Sequence, residues 1–376
     1  MRILLIGEYS NVHATLAEGL RALGQQVVVV SNGDFWKNYP RDIDLSRRPG
    51  KWGGMAYWAK TMAKLHLLRG YDVVQLINPM FLELKAERIA PIYKYLRKHN
   101  QKVFLGAFGM DYYWVHENIT RMPLRYSDFN IGNRLRDDEP AMRERRDWIG
   151  TAKENLNKMI AADCDGIIAG LYEYWACYGP LFPHKTKFIP FPIKPKAQAG
   201  ARQDGDATHT LRLFIGISKG RSAYKGTDIM LEAAKAIREK YPHLVELRIA
   251  EGVPFNQYTQ MMNGADAILD QLYSYTPSMN PLEAMSRGII CVGGGEPENY
   301  EILGDTDLKP IINVEPTRES VYNALEWMVT HINEIPRLKA ESIAYTERYH
   351  HYIKVAKQYL DFYKNTSRTN PKQTVG

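Results

Sequence analysis

The polar residues that could do chemistry concentrate between Asp270 and Glu301. A buried strand ends where this stretch begins, a polar loop follows, and a short helix is predicted to start at Asn280 and to carry Glu283 one turn inside. Free N–H groups at the start of a helix favour a bound anion, as does the helix dipole. A carboxylate nearby can accept hydrogen bonds from two neighbouring hydroxyl groups. The stretch therefore predicts a nucleotide site, with Glu283 as the candidate residue that holds the two hydroxyl groups.

Glu283 also has a structural interpretation. It lies three residues after Asn280, which is a favoured N-cap residue, so its carboxylate could bond the N–H of that cap in a capping box. Pro281 suits the first helical position, and Gly288 suits the end of the helix. The sequence leaves both interpretations of Glu283 open.

A second group of candidate residues lies in GISKGRSAYKGTD, from Gly216 to Asp228, between a predicted strand and a predicted helix. Glycines such as Gly216 let the backbone approach a ligand closely. Arg221 and Lys225 supply positive charge that suits a diphosphate. The segment lacks the GKS or GKT ending of a P-loop, which disfavours an NTPase. A solvated basic loop is the alternative.

These two segments must be positioned by a repeating pattern of apolar strands and helices. Strands are predicted at Arg2–Gly7, Gln26–Ser31, Asp72–Ile77, Lys102–Gly109, Asp165–Gly170, Lys187–Ile193 and Leu211–Ile217, and in VELRIA, ADAILDQL, IICVGG and PIINV. Helices are predicted at His13–Leu23, Met55–Leu68, Glu83–Lys98, Thr227–Lys240 and Arg348–Asn365. Residues 112–150 are predicted to be a loop insert followed by a helix that reaches Ala162. Alternation of this kind predicts parallel α/β sheets, here in two layers joined by a linker at Lys194–His209.

Composition narrows the classes of protein. The chain has 376 residues, enough for two domains, and a net charge of +7 that fits an anionic ligand or an acidic membrane surface. The N-terminal apolar run is too short for a signal peptide, and no apolar run is long enough to span a membrane. The three cysteines have no metal-binding spacing. We expect a cytoplasmic protein that does not bind nucleic acid.

The order of the motifs resembles the second half of the GT-B glycosyltransferases. A loop with Lys225-Gly226 precedes ADAILDQL, then PLEAMSRG, then a glycine-rich strand end with acidic residues. The chain is most similar to the retaining group 1 glycosyl transferases (glycosyltransferase family 4-like). The resemblance implies two facing Rossmann-like αβα domains, at residues 1–195 on the acceptor side and 196–348 on the donor side. It also implies that residues 349–376 form a helix and tail that cross back to pack on the first domain.

The resemblance further implies a reaction and roles for residues. The family transfers a sugar from a nucleoside diphosphate donor to an acceptor and typically needs no metal. Arg221 and Lys225 match its basic pair on the diphosphate, and Glu283 matches the glutamate that holds the ribose. Asp111, which ends the FGMD run, resembles the family's segment facing the reacting sugar, with a helix cap as the alternative. Gly7 and its turn would face the diphosphate from the opposite domain.

We therefore expect Asp111, Arg221 and Lys225 to be catalytic. No cofactor is expected besides a UDP- or GDP-sugar acting as co-substrate, and no metal. A glycan or lipid-linked acceptor is expected, and the basic excess leaves peripheral contact with an anionic membrane, at its inner face, open.

One residue departs from the family's pattern. The family places a glutamate eight positions before the ribose-binding one, where this chain has Tyr275. Either Tyr275 or the Ser278–Asn280 loop replaces that glutamate, or the activity is altered. A glycosyltransferase is the leading interpretation, while a nucleotide-sugar epimerase and a non-catalytic binding relative stay open.

Overall fold

The computed structural model of the protein describes residues 1–195, 210–218, 220–304 and 307–369. The chain divides into two compact α/β units. The first unit comprises Met1–Pro123, Arg143–Pro192 and the residues from Tyr352 onward, and the second comprises Leu124–Met142 and Ile193–His351. Most of the predicted linker, residues 196–209, lies outside the described residues.

The strands are β1 (Arg2–Ile6), β2 (Gln26–Ser31), β3 (Ile43–Asp44), β4 (Val73–Leu76), β5 (Lys102–Ala107), β6 (Asn130–Ile131), β7 (Arg134–Leu135), β8 (Gly166–Ala169), β9 (Thr186–Phe188), β10 (Leu211–Ile217), β11 (Val245–Glu251), β12 (Ala267–Leu269), β13 (Ile290–Gly293) and β14 (Ile312–Asn313). The helices are α1 (Val12–Ala22), α2 (Gly50–Lys64), α3 (Ala86–His99), α4 (Tyr112–Thr120), α5 (Glu139–Trp148), α6 (Ala152–Asp163), α7 (Tyr172–Tyr178), α8 (Ser222–Lys225), α9 (Thr227–Lys240), α10 (Phe255–Met262), α11 (Met279–Met285), α12 (Pro297–Leu303), α13 (Arg318–Thr330), α14 (Ile335–Tyr345) and α15 (Tyr352–Asn365).

The first unit is built on a seven-stranded sheet in the order β3-β2-β1-β4-β5-β8-β9, and every pair in it is parallel. Strands β1, β4, β5 and β8 are almost entirely buried, as expected for apolar strands covered by helices on both faces. The predicted strand at Lys187–Ile193 is shorter in the structure and ends at Phe188. The prolines at 190 and 192 have no N–H to continue the ladder.

The prediction of a loop insert at residues 112–150 was wrong in part. Helix α4 begins directly after Asp111 and buries Tyr112, Tyr113 and Trp114. An antiparallel hairpin, β6–β7, and helix α5 follow. The high content of Arg and aromatic residues obscured the helical period in this region.

The second unit contains a five-stranded parallel sheet in the order β11-β10-β12-β13-β14. Its core joins strand residues such as Ile215 and Leu269 to apolar faces of α9 and α13. Residues 124–142, called the strap below, belong to this unit although the chain on both sides of them belongs to the first unit. The strap carries the β6–β7 hairpin.

Helix α15 returns to the first unit, as the fold class predicts, and packs along α1. Tyr359 and Tyr363 of α15 are fully buried. The Lys102 side chain donates to the Tyr363 carbonyl oxygen at 2.8 Å, which fixes the far end of α15 beside β5. In the described part of the chain, none of the helices is both long and apolar enough to cross a membrane.

Gly19 allows the close approach of α1 and α15, and we expect Gly19→Ala to destabilise the protein. A Cβ at residue 19 would lie 2.5 Å from the Tyr352 carbonyl oxygen and 2.8 Å from the Ala356 Cβ. Overpacking of this kind lowers the free energy of unfolding by about 1–3 kcal/mol. Gly54→Ala in α2 is the matched control, because its Cβ would approach only the flexible Arg47 side chain, at 3.3 Å. Urea unfolding measures both, and equal changes in the two variants would contradict the prediction.

Candidate functional site

The carboxyl ends of three neighbouring strands form one edge of the second unit's sheet. The register pairs Ile215 of β10 with Leu269 of β12, and Leu269 with Val292 of β13. The loops that follow these strands therefore leave the sheet side by side. Open parallel sheets bind ligands at this edge.

Tyr258 on α10 joins several predicted site residues at this edge. Its hydroxyl accepts a hydrogen bond from the Asn280 side-chain amide at 2.9 Å. A Cβ on Gly216 would lie 2.6 Å from the Tyr258 ring, so the ring fits only because residue 216 is glycine. Burial raises the pKa of Tyr258 to about 12, and the negative charges of Asp270 and Glu283 add to the shift. The structure thus places Gly216, Asn280 and Glu283 around one tyrosine.

The assignment of Asn280 as a helix N-cap was wrong. The cap of α11 is Ser278, whose carbonyl accepts from the Leu282 N–H at 3.1 Å. The residue three positions after this cap is Pro281, which has no carboxylate. The capping-box interpretation of Glu283 is therefore also wrong. Ser278 is the cap because its backbone is extended and the helix begins directly after it, two residues earlier than a cap at Asn280 would allow.

The Glu283 carboxylate pairs instead with Arg287, one turn further along the chain. Arg287 is nearly buried and also donates to the Asn263 side chain at 3.2 Å. The Glu283 side chain keeps 26% of its surface exposed. It is an oriented carboxylate that still reaches solvent.

Arg221 is the N-cap of the short helix α8, and Lys225 is its last residue. The Arg221 guanidinium lies 5.6 Å from the centre of the Tyr224 ring, and its side chain is exposed. The positive charge of Lys225 acts on Asp270, which directly follows β12. Burial raises the pKa of Asp270 to about 6, and Lys225 opposes that rise. Asp270 therefore interacts electrostatically with both Lys225 and Tyr258.

The position of the family's first glutamate is packed under the strap. Tyr275 is 1% exposed, and its hydroxyl accepts from the Arg125 backbone N–H at 2.5 Å. The Arg125 guanidinium lies 4.9 Å from the centre of the Tyr275 ring, and the Tyr126 ring lies 4.9 Å away on a tilted plane. The Tyr275 hydroxyl is therefore used inside the unit.

The acidic residues after the glycine-rich strand end are held by the strap. Arg125 pairs with Glu296 at 2.6 Å and also pairs with Glu298. Tyr126 donates to the Glu296 carboxylate, which also accepts from the Asn313 side chain at 3.1 Å. Hydrogen bonds from Arg125 hold the pKa of Glu298 below its usual value despite partial burial. These contacts fix the turn between β13 and α12.

In the first unit, Asp111 caps α4, which is the structural role that the sequence left open. Its carboxylate accepts from the Trp114 N–H at 2.8 Å and from the Tyr178 hydroxyl at 2.7 Å. Asp111 is completely buried. Burial raises the pKa of Asp111 to about 7, although both hydrogen bonds oppose the rise. Its predicted catalytic role stays a prediction.

Gly7 directly follows β1 and has a positive φ of 87°, and a Cβ there would overlap Ile77. The next residue, Glu8, is buried, and its carboxylate accepts from the backbone N–H groups of His13 at 3.3 Å and Ala14 at 2.8 Å. Burial raises the pKa of Glu8 to about 8. The donors at the start of α1 are thus used by the chain's own carboxyl group, and the role of Gly7 toward a diphosphate stays a prediction.

Sequence reasoning missed several residues of the site. Asp270 carried a usable signal, because it is a polar residue immediately after a buried strand, as Asp111 is. Tyr258 and Arg125 carried none, since their partners are distant in sequence. Among the described residues, no group of three His, Cys, Asp or Glu side chains is placed to hold a metal ion.

Comparison with solved structures shows the GT-B fold over nearly the whole chain. Sucrose-phosphate synthase from Thermosynechococcus elongatus is 14% identical, with a TM-score of 0.63, and the match covers 97% of this chain and 98% of that chain. HepE from Anabaena, solved with UDP and glucose, is 11% identical, with a TM-score of 0.59 and coverage of 97% and 99%. UDP-GlcNAc 2-epimerase from Neisseria meningitidis, solved with UDP-GlcNAc, is 11% identical, with a TM-score of 0.53 and coverage of 96% and 99%.

No family profile matches the chain, and no curated protein matches it in sequence. The likeness therefore establishes the fold, which glycosyltransferases and an epimerase share. Function has to be argued from the site residues.

The raised pKa of Asp111 predicts a pH-dependent stability. The folded protein keeps the proton on Asp111 up to about pH 7, whereas an ordinary aspartate loses it near 3.8. The unfolding free energy should therefore fall as pH rises through this window, by at most about 1.4 kcal/mol per pH unit from this group. Asp111→Asn should remove that slope, as followed by urea unfolding between pH 4 and 8.

Glu8 contributes a slope of the same sign that extends to about pH 8, so Glu8→Gln is the companion variant. Parallel stability curves for the wild type and Asp111→Asn between pH 4 and 7 would show that the buried Asp111 is ionised in the folded state.

Proposed function

We propose that the chain is a glycosyltransferase that moves a sugar from a nucleoside diphosphate donor to a glycan or lipid-linked acceptor. The observation that carries this proposal is the joining of two motifs at one edge of the second unit's sheet. Lys225 acts electrostatically on Asp270, while the Tyr258 hydroxyl accepts a hydrogen bond from Asn280 and is affected by the charges of Asp270 and Glu283. A cation for phosphate and an oriented carboxylate for ribose hydroxyls are the two contacts that such a donor requires.

The proposed reaction breaks the bond between the anomeric carbon and the diphosphate oxygen. The acceptor's hydroxyl oxygen forms the new bond to that carbon, and its proton passes to the departing diphosphate. Negative charge grows on the departing diphosphate, where Arg221 and Lys225 stabilise it. Side-chain cations in this role make the reaction independent of metal, and retention at the anomeric carbon belongs to the same proposal. Asp111 is proposed to act on the reacting sugar, as the resemblance of the FGMD run implies.

The proposed donor is a UDP- or GDP-sugar, and Ser278 is proposed to contact it along with Gly216. Two of the similar structures were solved with uridine nucleotides, which supports testing UDP first.

A nucleotide-sugar epimerase is the second candidate function. It is favoured by Tyr275, which replaces the glutamate that the transferase family places against the donor sugar, and by the epimerase among the similar structures. Product analysis separates the candidates. A transferase joins the labelled sugar to an acceptor, whereas an epimerase changes the donor without one. Binding without turnover would indicate a non-catalytic relative.

Peripheral contact with an anionic membrane at its inner, cytoplasmic face is also part of the proposal. Phe35, Trp52 and Met55 of the first unit are exposed to 66%, 81% and 53%. The exposed Arg47 and Arg48 lie within three residues of the start of α2, which carries Trp52 and Met55. Aromatic side chains beside arginines suit an anionic lipid surface.

Arg221→Ala and Lys225→Ala should each weaken the binding of a nucleoside diphosphate. Loss of a charge-assisted hydrogen bond costs about 1.5–3 kcal/mol, or roughly 10- to 150-fold in affinity. Titration calorimetry with UDP, GDP and ADP, together with donor hydrolysis, measures the effect. Arg238→Ala is the control, because this exposed arginine lies near the far end of α9. Unchanged affinity in both site variants would refute the proposed diphosphate contacts.

Replacing Trp52 and Met55 together by alanine should reduce binding to vesicles of anionic phospholipid while leaving nucleotide binding unchanged. The apolar contact that holds the protein at the lipid surface is then lost. Cosedimentation at increasing anionic lipid content measures the change. Trp327→Ala removes an exposed tryptophan from the second unit and is the control. Equal sedimentation of all three proteins would rule out this surface as the membrane contact.

A further inference from the structure

We propose that Arg136 of the strap is a positioning residue that fixes the turn carrying Arg221 and Lys225 in the geometry that binds a diphosphate. This inference rests on the proposed function, because it assigns that turn to the diphosphate of the donor. It adds to that function a residue from a part of the chain that lies 85 positions or more before the turn.

Hydrogen bonds within the strap hold the backbone that carries Arg136. Phe129 is completely buried, and the Arg136 N–H donates to its carbonyl oxygen at 2.8 Å. The Asn130 side chain donates to the carbonyl oxygens of Leu124 and Gly132, both at 2.9 Å, which closes the hairpin. The position of the Arg136 backbone is therefore set by contacts that do not involve its side chain.

The Arg136 guanidinium donates to the end of α8. Its Nη2 lies 3.2 Å from the Ala223 carbonyl oxygen, and its Nη1 lies 3.4 Å from that of Tyr224. These carbonyls are among the last of the short helix, where a cation is favoured by the helix dipole. Asp138 accepts from Nε at 2.8 Å and balances the charge. Arg136 itself is 8% exposed.

One face of the same guanidinium stacks on the loop after β12. The guanidinium carbon lies 3.8 Å from the centre of the Tyr273 ring. The positive charge opposes the burial that raises the pKa of Tyr273. A planar fork that donates on its edge while stacking on an aromatic ring is specific to arginine, and lysine cannot reproduce it.

The turn is held from a second direction by the backbone. The Leu272 N–H donates to the Lys225 carbonyl oxygen at 2.9 Å, and Gly226 continues the chain with a positive φ of 72°. Leu272 and Tyr273 are adjacent, so Arg136 and this backbone bond tie α8 to one loop. The orientation of the Arg221 and Lys225 side chains depends on that connection.

The proposed ribose contact has a separate support. Glu283 is held by Arg287 on the same segment of chain and is not part of the Arg136 cluster. Loss of Arg136 should therefore affect contacts to the second phosphate much more than contacts to the nucleoside. A residue with a purely structural role would weaken both together.

The test compares the affinities of a nucleoside diphosphate and the monophosphate of the same base, choosing from UDP, GDP and ADP the one that binds the wild type best. Titration calorimetry is performed on the full chain with the wild type, Arg136→Ala, Arg136→Lys and Arg134→Ala. Arg134 is an exposed arginine on the same hairpin and controls for the lost charge. Thermal unfolding is recorded for each protein.

We expect Arg136→Ala to lower diphosphate affinity by about 10-fold or more, as for a lost charge-assisted contact, with monophosphate affinity unchanged. Arg136→Lys should lose most of the same preference although it keeps the charge, and Arg134→Ala should match the wild type.

Three results would overturn the inference while leaving the proposed function intact. They are an unchanged diphosphate preference in both Arg136 variants, an equal loss for the two nucleotides, and failure of both variants to fold, since each of the last two would make Arg136 merely structural. Absence of nucleotide binding by the wild type would instead overturn the proposed function, and this inference with it.

Discussion

Parallel pairing of β12 with β10 on one side and β13 on the other is the interaction on which the candidate site depends. It brings the loops after Gly216, Asp270 and Gly293 to one edge, although these residues are separated by dozens of positions in the chain. A shift of one residue in either ladder would turn every side chain of the shifted strand to the opposite face of the sheet. The packing of these strands in the apolar core therefore sets the distances between the polar groups at this edge.

The arginines of the second unit differ in whether acidic residues of the same unit pair with them. Arg125 and Arg136 are compensated within the unit, the first by Glu296 and Glu298 and the second by Asp138. Arg221 projects from the surface, where desolvation costs it little. The Arg125 side chain is still 55% exposed, whereas that of Arg136 is only 7% exposed, so removal of Asp138 would leave a buried charge without its partner at a high cost in stability. Arg221 is therefore accessible to an anion from solution.

Sequence patterns predicted the parts of this protein that are local. Apolar runs predicted the strands of both sheets except the short β3, and the motifs around Lys225 and Glu283 pointed to loops that the structure places at one edge. The cap of α11 was misassigned because Ser278 and Asn280 are both good cap residues and only the backbone decides between them. The hydrogen bond from Arg136 to Tyr224 spans 88 residues, and no periodicity or spacing carries information over that distance. Tyr258 was missed for the same reason.

The grouping of residues 124–142 with the second unit means that the chain passes between the units at four places, after residues 123, 142, 192 and 351. The two halves of the sequence are therefore not two modules. Recombination between related genes at the linker would combine the Tyr273 loop of one parent with the Arg136 hairpin of the other. In such chimaeras, the residues that stack and form hydrogen bonds inside the second unit would come from two different parents. Exchange of the second unit between relatives, by evolution or by engineering, would require residues 124–142 to be transferred together with the C-terminal half.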